Sequence, residues 1–247
     1  MQQNLPRHVA IIPDGNRRWA KAKGLPVVNG YLEGRLRFRE ISQVVFDVGI
    51  PYFTFWSMSK DNFHKRSTTL VNFLLSLFKE ELHSRTMDRI LRNQIRFRVL
   101  GNWRDLMPND TVLAKLIDEF EDKTKGFDRH HLTIMLGYSG TTELATGVLN
   151  MIRNEWKPSC SAWTNMVNET AEKIKESLWS RELPPVDLLI RTGEEVPGWM
   201  HNSSGFMMLH TTDSEIYSSP TLWPGFSEEE FRKIVTEYGQ RERKLGK

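Results

Sequence analysis

Five short runs rich in β-branched, aromatic or aliphatic residues punctuate this chain: VAII at 9–12, YFTFWSM at 52–58, IRFRVLG at 95–101, LTIMLGY at 132–138 and VDLLIRT at 186–192. Each is long enough for one strand and far too short to span a membrane. Between them the apolar spacing becomes that of helices. Ile41, Val44, Val45 and Val48 stand at i, i+3, i+4 and i+7, ended by Gly49 and Pro51. Further helical patterns cover 68–92, 109–125, 140–156 and 163–180, and Ser227 with Glu230 makes a capping box for a last helix. Strands that alternate with helices predict an α/β fold, a central mostly parallel sheet joined by right-handed crossovers and flanked by helices. No repeat or low-complexity tract divides residues 1–247, which read as a single domain; GEEVPGWMHNSSG at 193–205 reads as a loop.

Composition narrows the function classes. A net charge of +3 gives no general basis for nucleic-acid binding, so any anion site must be local. A single cysteine, Cys160, excludes an internal disulfide and a cysteine zinc cluster and fits a cytoplasmic location. No run approaches the ~18 apolar residues of a membrane span, and MQQNLPRH lacks a signal-peptide core, so at most peripheral membrane contact is expected.

In open parallel sheets ligands bind beyond the carboxyl ends of the strands. After the first run come Asp14, Gly15, Asn16, Arg17 and Arg18; after the second, Ser59, Lys60, Asp61 and Asn62 with Lys65 and Arg66; after the fourth, Tyr138, Ser139 and Gly140; the fifth ends in Arg191-Thr192. An Asp beside arginines and a glycine at a helix start suits a diphosphate chelated to Mg²⁺: the carboxylate takes the hard cation, while guanidinium forks and backbone N–H groups take phosphate oxygens. GxxxxGK[ST], GxGxxG, GxSxG and HExxH are all absent, which excludes the common nucleotide, serine-hydrolase and zinc-protease signatures. His130-His131 reads as a strand opening.

These segments, taken in order, resemble the cis-prenyltransferases, the undecaprenyl diphosphate synthase family. HVAIIPDGNRRWAKAKG resembles the family's first signature, and TFWSMSKDNFHKRS the second block. RFRVLGN, LTIMLGYSGTTEL, VDLLIRTGEE and SGFMMLHTTDSEIYSSPTLWPGF follow in family order, with RERKLG as a basic tail, so the likeness spans residues 8–246. It implies the family's α/β fold with a hydrophobic tunnel, for which Phe73, Leu74, Leu77 and Phe78 are candidates. It implies an Mg²⁺-dependent synthase that joins an allylic prenyl diphosphate to a C5 diphosphate acceptor. Asp14, Gly15, Asn16, Arg17, Arg18 and Trp19 would hold the donor diphosphate, with Asp14 and Glu215 on the metal. Asn62 and Ser59 would work around proton removal, beside Lys60, Asp61, Phe63, Lys65 and Tyr31. Arg191, Asn202, Ser203 and Ser204 would take the acceptor. A homodimer is implied, and a heteromer is the alternative.

Several positions depart from the family pattern. Val27 replaces an Arg, Tyr31 a His, Phe63 a Trp, Lys65 an Arg and Gly137 an Asn; Asn202 falls where an acceptor-binding Arg should be, in a loop lengthened by about five residues, and Lys244 replaces the Arg of the tail. Three functions follow: non-head-to-tail, lavandulyl-like condensation; ordinary head-to-tail cis elongation with isopentenyl diphosphate; or a non-catalytic subunit of a heteromeric synthase. Retention of Asp14, Asn16, Arg18, Ser59, Asn62, Arg191, Ser204 and Glu215 argues against the last, because a subunit relieved of catalysis has no need of metal carboxylates.

Overall fold

In a computed structural model the structure describes residues 4–83, 85–194 and 203–241, without the side chains of residues 85, 86 and 204. Six parallel strands, β1 (His8–Ile12), β2 (Tyr52–Ser59), β3 (Ile95–Leu100), β4 (His130–Tyr138), β5 (Leu188–Arg191) and β6 (Glu215–Ser218), lie in the order β3-β4-β2-β1-β5-β6. Ten helices are described: α1 (Asn16–Ala22), α2 (Val27–Asp47), α3 (Lys60–Lys65), α4 (Thr68–Leu82), α5 (Arg85–Arg92), α6 (Trp103–Leu106), α7 (Thr111–Thr124), α8 (Gly140–Arg153), α9 (Trp163–Ser177) and α10 (Glu228–Gln240).

The period of two along each strand sorts side chains between two cores. On β1, Val9 and Ile11 join the larger core, whose helix residues include Val44 of α2, Val71 of α4, Ile117 of α7 and Phe231 of α10. Ala10 and Ile12 join a smaller core with Trp56, Tyr138, Phe206 and Met207. The five predicted strands are all present, and His131 is buried at the start of β4. The capping box holds as well, with Ser227 Oγ accepting the Glu230 N–H at 3.2 Å.

Short helices α3 and α6 are added to the sequence reading, and three further elements differ from it. β6 is an added edge strand. α2 begins fourteen residues before Ile41 and so includes Gly30 and Gly34. The pattern over 68–92 is divided into α4 and α5, with His83 as the C-cap of α4.

The free edge of the sheet at β3 is covered by side chains of α7. Thr124 Oγ1 accepts the Phe97 N–H at 3.0 Å and Glu121 Oε1 the Val99 N–H at 2.7 Å.

Beneath β1, His8 is fully buried, and its ring makes two bonds. The Pro184 carbonyl, 2.9 Å from Nδ1, can only accept, so Nδ1 carries the proton and Nε2 accepts from Thr54 Oγ1 at 2.8 Å. Burial pushes the imidazole down to about 4, with His210 nearby adding to the effect. The unfolded chain therefore binds a proton that the native state refuses between the ordinary value near 6.5 and about 4. Stability should accordingly fall as pH drops through that window, by about 3 kcal/mol in all for this group. Urea denaturation from pH 7 to pH 4 checks this, and a midpoint independent of pH would contradict it.

Candidate active site

Neighbouring strands β1 and β5 lead away from each other, to β2 on one side and β6 on the other, which opens a crevice above their carboxyl ends. Asp14 and Arg191 meet there. Asp14 follows β1 by two residues, and Gly15, at φ 107°, turns the chain into α1. A Cβ at Gly15 would stand 2.6 Å from Leu222 Cδ2, so both the turn and the contact require glycine. The Asp14 carboxylate accepts its neighbour's Gly15 N–H at 2.6 Å and faces Arg18 at 3.5 Å and Arg191 at 3.4 Å. Its side chain is 47% exposed, which leaves oxygen lone pairs open to the crevice.

Arg191 is buried at the end of β5. Its guanidinium donates to Ser203 Oγ at 2.5 Å and pairs with Asp14 and Glu194. Arg18 donates to the Gly193 carbonyl at 2.6 Å. Trp223 closes the crevice from behind. Its N–H donates to the Asp14 carbonyl and its indole N–H to the Gly34 carbonyl, each at 2.8 Å.

From this mouth a cavity of about 950 Å³ runs down the larger-core face of the sheet. Polar groups ring the opening: Asp14, Asn16, Arg17, Arg18, Lys21, Tyr31, Ser59, Asp61, Asn62, Lys65, Arg66, Arg191, Glu194 and Ser203. Below them the wall is mostly apolar, with Phe38 of α2, Phe55 and Met58 of β2, Leu74, Leu77 and Phe78 of α4, Met87 and Ile90 of α5, and Ile134 and Leu136 of β4, interrupted by Arg35 and Glu81, which are paired with Glu80 and Arg39. The lining reaches from Ser59, paired with Tyr138, down to Leu132, paired with Phe53. Six residues of strand are roughly 20 Å. Of the four α4 candidates, Leu74, Leu77 and Phe78 share the cavity face, and Phe73 lies off it, as helical spacing requires.

The other expected residues divide between mouth and periphery. Ser59 caps α3, its Oγ accepting the Asn62 N–H at 3.1 Å, which holds Asn62 at the rim. Asp61 and Lys65 pair with each other at 2.7 Å. Lys60 turns away to Thr142, at 3.2 Å. Phe63 packs on the larger core, and Trp19 lies under the Lys23 ammonium, so neither lines the cavity. Glu215 opens β6 opposite Leu188, three residues and roughly 10 Å below the level of Arg191. There it pairs with Arg241 at 3.3 Å, away from Asp14 within one chain. Asn202, the Ser204 side chain and Lys244 lie outside the described residues. Val27 is 40% exposed at the start of α2 and outside the cavity lining.

Lys21 was not expected at the site, whereas Arg66, expected at the strand-end rim, does line the mouth. Lys21 follows Arg17 by one helical turn, which is the signal that could have found it. Arg66 stands as the C-cap of α3. Burial lowers its pKa, with Arg17 nearby acting in the same direction and Tyr31 and Asp14 opposing.

The undecaprenyl diphosphate synthase family model matches residues 12–246. This chain belongs to that family. An isoprenyl transferase of Thermotoga maritima is 34% identical over 98% of this chain and 97% of its own length. The tritrans,polycis-undecaprenyl-diphosphate synthase (geranylgeranyl-diphosphate specific) of Thermoplasma volcanium is 32% identical over 98% of this chain and 89% of its own. Lavandulyl diphosphate synthase from Lavandula x intermedia, solved with dimethylallyl diphosphate, superposes with a TM-score of 0.84 at 25% identity, over 98% of this chain and 99% of that one. The chain is thus a prenyltransferase of isoprenoid synthesis, a cis-prenyltransferase-type prenyl diphosphate synthase. Among the described residues no helix is long and apolar enough to cross a membrane.

Proposed function

We propose that this chain condenses an allylic prenyl diphosphate with a C5 diphosphate acceptor in an Mg²⁺-dependent reaction. The observation that carries this is one continuous cavity with a cationic, Asp14-bearing mouth over a largely apolar interior. The mouth sorts the diphosphate from the hydrocarbon, and the ~20 Å of apolar wall accepts the chain.

The donor set fits Mg²⁺ that is shared with a substrate. Among the described residues no group of three or more His, Cys, Asp or Glu could cage a metal by itself. Mg²⁺ commonly takes one or two carboxylates plus substrate phosphates, and Asp14, half exposed at the rim, supplies one such carboxylate. When bound, the ion would neutralise charge on the diphosphate as the allylic C–O bond breaks.

The chain's own residues account for the rest. Arg17 and Lys21 line the mouth beside Asp14, where they would stabilise the charge that develops on the leaving oxygen of the diphosphate. The acceptor alkene supplies the electron pair of the new C–C bond, and the apolar wall keeps water from the allylic carbon. Asn62, fixed by Ser59, orients the acceptor. A neutral amide is a poor base, so the departing diphosphate takes the proton.

At the acceptor end, Arg191 is held by Glu194, Asp14 and Ser203. A guanidinium engaged by carboxylates is a weaker grip for isopentenyl diphosphate, which supports a lavandulyl-like joining of two allylic units. The depth of the cavity supports the second reading, linear cis elongation. Purified protein with Mg²⁺ and dimethylallyl diphosphate, alone and with isopentenyl diphosphate or longer allylic donors, separates the two by product structure. Branched products are expected from the allylic substrate alone; linear cis products would establish elongation. No turnover without a second protein would sink the catalytic reading.

A further inference from the structure

The cations at the cavity mouth form two sets. Arg18 and Arg191 are committed within the chain, to Gly193, Asp14, Glu194 and Ser203. Arg66 has a different environment. Its Nε is buried with no hydrogen-bond partner, and among the described residues no carboxylate pairs with its guanidinium. Its guanidinium carbon lies 5.5 Å from the centre of the Tyr31 ring, and Arg17 is a like charge nearby. A desolvated cation beside another cation is costly unless an anion completes the arrangement.

We propose that Arg66 is a counter-charge of the allylic diphosphate, a substrate-binding residue that completes, with Arg17 and Lys21, the anion site whose metal carboxylate is Asp14. This rests on reading the cavity as a prenyl diphosphate site. Arg17, Lys21 and Arg66 line the same mouth, and their side chains make no hydrogen bond or ion pair among the described residues. Three uncommitted cations match a diphosphate better than a monophosphate. The Tyr31 ring supports the guanidinium by its face, which leaves the N–H edge for two phosphate oxygens. A lysine at 66 would keep the charge and lose that fork.

The test uses the full chain and inorganic diphosphate or inorganic phosphate, without metal, to isolate the guanidinium from Mg²⁺. Binding and thermal unfolding are measured for wild type, Arg66→Ala and Arg66→Lys. Arg66→Ala should bind diphosphate about tenfold more weakly or worse, as for a lost charged hydrogen bond. Its unliganded midpoint should equal or exceed that of wild type, because a partly buried cation with no ion-pair partner has gone. Arg66→Lys should recover part of the affinity, and phosphate binding should change less. If Arg66→Ala does not accumulate, Tyr31→Leu should give the same weakening.

Unchanged diphosphate affinity with a lowered midpoint would make Arg66 structural and overturn the assignment. Wild type that turns over allylic diphosphates while Arg66→Ala is kinetically identical would remove this assignment and leave the proposed function standing. Wild type that binds no diphosphate would remove both.

Discussion

Asp14→Ala should lower kcat by on the order of 10²–10³-fold, the range seen when one group that stabilises a developing charge is removed. Asp14 is the carboxylate at the meeting point of β1 and β5, and it faces two guanidiniums. Its removal takes away the hard-cation ligand and leaves Arg18 and Arg191 without that counter-charge. Because the side chain is 47% exposed, the fold should lose little. The expected signature is therefore a native unfolding midpoint together with a large loss of turnover that excess Mg²⁺ does not restore. Asp14→Asn keeps the shape and one acceptor oxygen and should be nearly as damaged, because charge is what the site lacks. Wild-type turnover in Asp14→Ala would refute the metal assignment.

Trp223→Ala should act on the fold first and on the site through it. The indole is 1% exposed, stacks on Phe226 with ring centres 5.9 Å apart, and meets Phe55 at 5.2 Å. Truncating such a side chain typically costs about 3–5 kcal/mol. The Gly34 carbonyl also loses its indole donor. Trp223→Phe separates the two effects: it retains most of the apolar packing and should cost about 1–3 kcal/mol for the orphaned acceptor. Urea denaturation of both variants measures the stability, and diphosphate affinity measures how far the turn at Asp14 has moved. A Trp223→Ala protein with wild-type stability would show that the indole does not brace the crevice.

Most strands were legible because their runs are apolar on both sides, as buried parallel strands must be, and β3 because Ile95, Phe97 and Val99 alternate with Arg96 and Arg98. β6 was not. Its residues alternate around a half-exposed Ile216 within a stretch of Ser, Thr and Asp, and only pairing with β5 makes EIYS a strand. The first half of α2 carries Gly30 and Gly34, and glycine weakens a helical pattern. A Cβ at Gly30 would stand 2.1 Å from the Asn16 carbonyl oxygen, and one at Gly34 2.3 Å from Asn16 Oδ1. Those glycines let α1 lie against α2 and so bring the Asp14 turn close to the cavity, at a cost of about 1 kcal/mol each in helix propensity. The pairing of Asp14 with Arg191, 177 positions apart, follows from the strand order and not from local pattern. The uncommitted state of Arg66 was equally invisible, since a sequence displays a cation without displaying its partners.

The covered edge at β3 sets a limit on assembly. Growth of a sheet from molecule to molecule into a ribbon needs two receptive edges on every copy. Here the Phe97 and Val99 amides already have acceptors in α7, so an incoming strand finds those sites taken. With β6 as the other boundary of the sheet, strand addition between copies can produce a closed pair related by a two-fold axis, and the chain ends there instead of propagating into a fibre.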